Sequence, residues 1–310
     1  MSRPLVSMPV GDAAARASVL RRLELAVLRR LDGRASGDHA TRTLGPGGDR
    51  AAARPYEPGD DARLVDWNLT ARLGQVHVRQ TEADRELETW VVADRSASLD
   101  FGTADREKRD VVLGAAAAFG MLTVRGGNRF GVLLAGTDRL VQLPARQGRT
   151  AMLAALAAIH DTPRWDAPPA AGADLSAGCR RLLTTQPRRS QVVVVSDFLD
   201  DAGWEEPLHA LATRHQVVAC HVTDPRELAL PAVGMLAVVD TETGRQRYVQ
   251  TGSATLRSRY AAAAADRQRS ISRRIHATGS TYLHLSTDRD WLTDTIDFAG
   301  RMRRMRGVRR

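Results

Sequence analysis

Two short apolar runs, each closing on an aspartate, restrict this chain more than any other feature. Trp90-Val91-Val92-Ala93 leads into Asp94, and Val192-Val193-Val194-Val195-Ser196 leads into Asp197. Such runs fit strands of a parallel sheet covered on both faces. Open α/β sheets bind ligands outside the carboxyl ends of their strands. Side by side, the two strands would bring Asp94 and Asp197 to one edge. Ser96 and Ser98 follow Asp94 as D-x-S-x-S. One carboxylate and two hydroxyls are hard oxygen donors and suit Mg²⁺. Ser and Asp also cap helices at ordinary strand-to-helix turns, and that reading stands beside the metal one.

The remaining pattern alternates. Val111 to Val124 reads as a helix, Phe130–Ala135 and Leu140–Leu143 as strands about a turn at Gly136-Thr137-Asp138, and Thr150–His160 as a helix. A helix near Trp204–His215 separates the strands Val192–Ser196 and Val217–Val222. Met235–Asp240 and Arg247–Gln250 suggest a hairpin, Ser253–His276 a helix, Thr281–Leu285 a strand and Trp291–Arg301 a closing helix. This predicts an α/β fold, a doubly wound, mostly parallel sheet over residues 88–300.

Residues 1–55 hold an amphipathic helix, with Leu20, Leu23, Val27, Leu28 and Leu31 at helical spacing, expected to dock on the body. A Gly-rich link is expected from Gly33 to Gly48. In residues 56–87, Pro58-Gly59-Asp60 is turn chemistry, Asp60 or Asp61 can cap a short helix through Trp67, and Gln75–Arg79 alternates as a strand. Residues 301–310 form a basic tail.

The formal charge is +9, but residues 301–310 carry six arginines and no acid, so the rest amounts to +9 − 6 = +3. That distribution argues against a nucleic-acid surface, with contact of the tail to an acidic partner, RNA or a membrane as the alternative. Lys108 is the one lysine among 45 basic residues, which reads as the composition of a GC-rich coding sequence. No stretch approaches a membrane span and no signal peptide is visible, so a cytoplasmic protein is expected. Cys179 and Cys220 lack zinc spacing and read as buried thiols, and His221 reads as a core histidine. A metal-dependent phosphoryl-transfer enzyme or nuclease could draw on Asp94, Asp197, Asp200 and Asp201. Ser96 and Ser98 weigh against it, because two-metal sites favour carboxylates.

The D-x-S-x-S run with a lone Asp after a later strand resembles the metal-ion-dependent adhesion site of von Willebrand factor type A domains. That site also uses a Thr from an intervening loop. The best match, residues 171–175, has Ala173 at the Thr position, and Asp174 could substitute. Residues 56–79, YEPGDDARLVDWNLTARLGQVHVR, resemble the signature of the bacterial "domain of unknown function 58" family through Tyr56, Pro58, Gly59, Asp60, Asp61, Arg63, Asp66, Trp67, Ala71, Arg72, Gly74, Val78 and Arg79. The resemblance implies a von Willebrand factor type A-like fold and a non-enzymatic adaptor or assembly role. It further implies partnership with a MoxR-type AAA+ ATPase and a protein cargo, and Mg²⁺ held by Asp94, Ser96, Ser98 and Asp197.

Overall fold

The computed structural model describes residues 13–37, 52–57, 62–80, 88–136, 139–164, 174–199, 203–239 and 245–308. It divides into two compact units, Ala35–Glu86 and the remainder.

In the smaller unit, β1 (Ala52–Pro55) pairs antiparallel with β2 (His77–Gln80), around the short helix α2 (Trp67–Leu73). A single 3-10 turn, Ala62–Leu64, lies where a helix through Trp67 was expected, and the α-helix begins at Trp67. Its cap is Asp66, whose carboxylate accepts from the amides of Asn68 and Leu69. Gly74 ends it in the left-handed conformation. Asp60 and Asp61, expected as caps, lie outside the described residues with Pro58 and Gly59.

The larger unit opens with α1 (Ala13–Gly37), whose last three residues fall in the smaller unit and which runs through Gly33, where a link was expected to begin. Its body contains β3 (Glu88–Asp94), α3 (Lys108–Arg125), β4 (Arg129–Ala135), β5 (Val141–Arg146), α4 (Arg149–His160), α5 (Leu175–Thr185) and β6 (Gln191–Ser196). Then come α6 (Glu205–Arg214), β7 (Gln216–Thr223), α7 (Pro225–Leu228), β8 (Met235–Val239), β9 (Gln246–Gln250), α8 (Ala254–Ala277), β10 (Thr281–Ser286) and α9 (Trp291–Val308). Helix α9 continues past residue 300, so the expected tail is helical through Val308. The sequence pattern had not placed α5, although Leu175, Cys179 and Leu182 bury one helical face.

The main sheet has the order β10-β7-β6-β3-β4-β5, with β5 antiparallel and every other neighbour parallel. The two-residue period of a strand explains its two faces. Val91, Ala93, Val193 and Val195 join one apolar cluster with α3, α4, α9 and Leu20, Leu23 and Val27 of α1. Trp90, Val92, Val192 and Val194 join the other, under α5, α6 and α8. Cys179 and Cys220 are buried free thiols, one per face. Among the described residues, no helix is long and apolar enough to cross a membrane.

Candidate functional site

The register aligns Val92 with Val194 and Ala93 with Val195, so β3 and β6 end side by side and release Asp94 and Asp197 at the same edge. Asp94 is tied down by its surroundings. Its Oδ1 accepts from the Ser96 amide at 2.9 Å, and its Oδ2 accepts from the Ser196 hydroxyl at 2.5 Å. The Arg95 amide donates to the Ala135 carbonyl, which keeps the turn on β4. Gly136, at φ +72°, completes this floor: a Cβ there would lie 2.5 Å from both Asp94 Oδ1 and the Ser96 nitrogen. No other residue fits without displacing the turn.

Ser96 and Ser98 turn inward, with their hydroxyl oxygens 3.2 Å apart. Ser98 also donates to Asp197. Burial first, and then the nearby Asp197 charge, push the Asp94 carboxyl up to about 6. Asp197 behaves oppositely. Burial would raise it, but the charge and hydrogen bond of Lys108 outweigh burial and hold it below the usual carboxylate range.

Lys108 is the residue that composition concealed. The only lysine of the chain is fully buried, its Nζ 2.8 Å from Asp197 Oδ2 and 2.5 Å from Glu227 Oε1. Its presence as a single long ammonium in an arginine-rich chain was the available signal. Asp224, at the exit of β7, extends the edge. It accepts from the Thr103 amide and hydroxyl at 2.9 and 2.6 Å and from the Thr287 hydroxyl at 2.6 Å. Asp224 and Glu227 form a reciprocal capping box on α7, which joins this group to Lys108. Gly102, just before Thr103, sits where a Cβ would meet the Glu107 Cα at 2.4 Å, so the loop can pass only with glycine.

The turn after Asp197 is strained: Phe198 takes φ 53°. A non-glycine residue there costs on the order of 1–2 kcal/mol. Its ring is locked by edge contacts with Trp204 at 5.0 Å and His221 at 6.1 Å. His221 is buried and meets the Tyr282 hydroxyl, as its core reading requires.

Of the expected metal set, the fold brings Asp94, Ser96, Ser98 and Asp197 together. Asp174 caps α5, accepting from the Ala177 amide at 2.5 Å. Ala173, Asp200 and Asp201 lie outside the described residues. Among the described residues, no three of His, Cys, Asp and Glu converge as a metal set. The donors that do converge, one carboxylate and two adjacent hydroxyls, fit a single hard divalent ion on the Asp94 side, with Asp197 behind Ser98. The Asp94 carboxylate accepts from the Ser196 hydroxyl and from both the amide and the hydroxyl of Ser96, fewer bonds than the roughly four lone pairs its two oxygens offer.

The signature residues belong to the smaller unit. Val78 is buried and bridges Val65, whereas Trp67 is 71% exposed, and Tyr56, Arg63 and Arg72 are also exposed. Arg79 belongs to β2.

Sheet order, D-x-S-x-S turn and neighbouring strand-end aspartate define a von Willebrand factor type A-like domain. The chain belongs to the family described as "Protein of unknown function DUF58", which matches residues 52–270. It is 45% identical over 288 residues to "Uncharacterized protein Rv1480" of Mycobacterium tuberculosis, covering 93% of this chain and 90% of that protein. It is 39% identical over 165 residues to "Uncharacterized protein MAV169" of Mycobacterium avium, covering 53% of this chain and 96% of that one. Solved structures of similar outline include BatB from Bacteroides thetaiotaomicron, at 12% identity and TM-score 0.42 over 69% of this chain and 98% of that one. The SpRpn10 VWA domain is similar at 14% identity and TM-score 0.39, over 68% and 93% of the two chains.

Proposed function

We propose that this chain is a non-enzymatic protein-interaction module whose contact site is the strand-exit edge carrying Asp94, Ser96 and Ser98. The observation that carries this reading is the inward pair of hydroxyls 3.2 Å apart beside a buried carboxylate. A Mg²⁺ ion held by Asp94, Ser96 and Ser98 would supply a Lewis-acidic position for a partner's Asp or Glu carboxylate. Asp197 orients Ser98 and is paired with Lys108, which leaves Asp94 as the carboxylate beside the two hydroxyls for one ion. The same commitment of Asp197 argues against a two-metal nuclease. The proposed partner is an ATPase of the MoxR AAA+ type, with this chain acting as its adaptor toward a protein cargo.

The test is capture of the purified cognate ATPase by the wild-type chain and by Asp94→Ala, each with Mg²⁺ and with a chelator. Capture that needs both Asp94 and metal supports the adhesion mechanism. Capture indifferent to both, yet weakened by salt, favours a metal-free contact through the arginine-rich surface. The hydrogen bonds that both Asp94 oxygens already accept are the observation behind that metal-free alternative. Absence of capture under every condition would overturn the ATPase partnership.

A further inference from the structure

A crevice of about 920 Å³ opens beside Ser98, between the exits of β6 and β7, helix α8 and the β8–β9 hairpin. Pockets of ~300–1,000 Å³ are the size in which proteins bury ligands. Leu236, Ala237, Val238 and Val239 of β8 all line this one. Successive side chains of a strand point to opposite faces, and none of the residues of β9 lines the crevice, so the crevice follows the edge of β8 rather than a face of the hairpin. Among the described residues, β9 is the only ladder partner of β8, which leaves that edge unpaired.

Natural proteins guard such edges with charge, proline or a bulge. Met235-Leu236-Ala237-Val238-Val239 has none of these, and Met235, Val238 and Val239 are exposed. The opposite wall is one stripe of α8, formed by Tyr260, Arg267, Ile271 and Arg274. Arg274 is held by Glu205 and lies over Trp204. Glu227 is committed to Lys108. Arg226 and Arg267 are exposed and have no carboxylate partner among the described residues, so the crevice is apolar within and cationic at its rim.

We propose that this crevice receives an extended polypeptide segment of a partner protein. The segment adds as a strand to the outer edge of β8, lays apolar side chains between β8 and α8, and places a carboxylate on Arg226 and Arg267. Main-chain pairing supplies affinity, while the apolar wall and the guanidinium pair select an apolar–acidic sequence. The proposal extends the interaction reading above but does not depend on a metal ion.

The experiment is selection of phage-displayed random dodecapeptides on the full chain, followed by anisotropy titration of the enriched peptides with Mg²⁺ and with chelator. Enriched sequences should alternate apolar residues with Asp or Glu. Their affinity should fall roughly tenfold or more in Arg226→Glu/Arg267→Glu and in Val238→Asp, and persist in Asp94→Ala. Arg226, Arg267 and Val238 are exposed, so circular dichroism should show those variants folded. No enrichment over background, or peptides that bind the variants as well as wild type, would overturn the proposal. Binding lost only with chelator or in Asp94→Ala would assign the peptides to the adhesion site instead. A dimer in sedimentation that Val238→Asp converts to monomer would give the edge to a second copy and also overturn it.

Discussion

Lys108 is buried completely between two carboxylates, Asp197 and Glu227. Burial alone would lower its pKa, but those carboxylates raise it, so the side chain is a fixed positive charge. Removing one partner of a buried ion pair costs about 3–5 kcal/mol, because the other charge is left uncompensated. Lys108→Met should therefore lower the urea midpoint sharply, and Lys108→Met/Asp197→Asn should recover much of the loss. A single variant as stable as wild type would show that the network bears no weight. His221 sets a pH dependence of its own. Burial, then His284, push it down from 6.5 to about 3. Between those values the unfolded chain binds a proton that the fold refuses, so the stability from a neutral His221 is present above pH 6.5 and lost as pH falls toward 3. His215 and His284 shift the same way, whereas Asp94, raised to about 6, favours the fold as it protonates. The comparison is therefore between proteins: His221→Phe should flatten the slope of urea midpoint against pH below 6.5, and an unchanged slope would refute the assignment.

Each element places a functional group by a different device. The β3–β6 register sets Asp94 beside Ser196, and Gly136 holds the following turn from β4. Gly136→Ala must carry a left-handed backbone and a Cβ 2.5 Å from the Asp94 carboxylate, so a loss of more than about 2 kcal/mol is expected. Thermal unfolding checks this, and a change within about 0.5 kcal/mol would mean the turn relaxes freely. Strand exits were readable because valine runs and their terminal carboxylates are contiguous in sequence. Lys108, Asp224 and Glu227 were not, because their partners lie 89, 121 and 119 residues away. Helix boundaries failed where one residue type carried two meanings. Gly33 read as a link, yet it sits in α1 with open space around it and clashes with nothing. Asp174, which the sequence offers as a substitute ligand, caps α5.

At the scale of the molecule, the alternation of strands and helices already specified the parallel sheet. What it did not specify is how the sheet's carboxyl edge divides its charges. Asp197 is paired internally, Asp224 is closed by two threonines, and Asp94 has the Ser96 amide and the Ser96 and Ser196 hydroxyls as its hydrogen-bond donors. That asymmetry underlies the cation position proposed beside Asp94. Calorimetric titration of Mg²⁺ and Mn²⁺ into the full chain and into Asp94→Ala tests that position. Saturable binding of one ion per chain, lost in Asp94→Ala while the variant stays folded, is the expected result. Heats for wild type no larger than dilution, or equal binding by the variant, would contradict it.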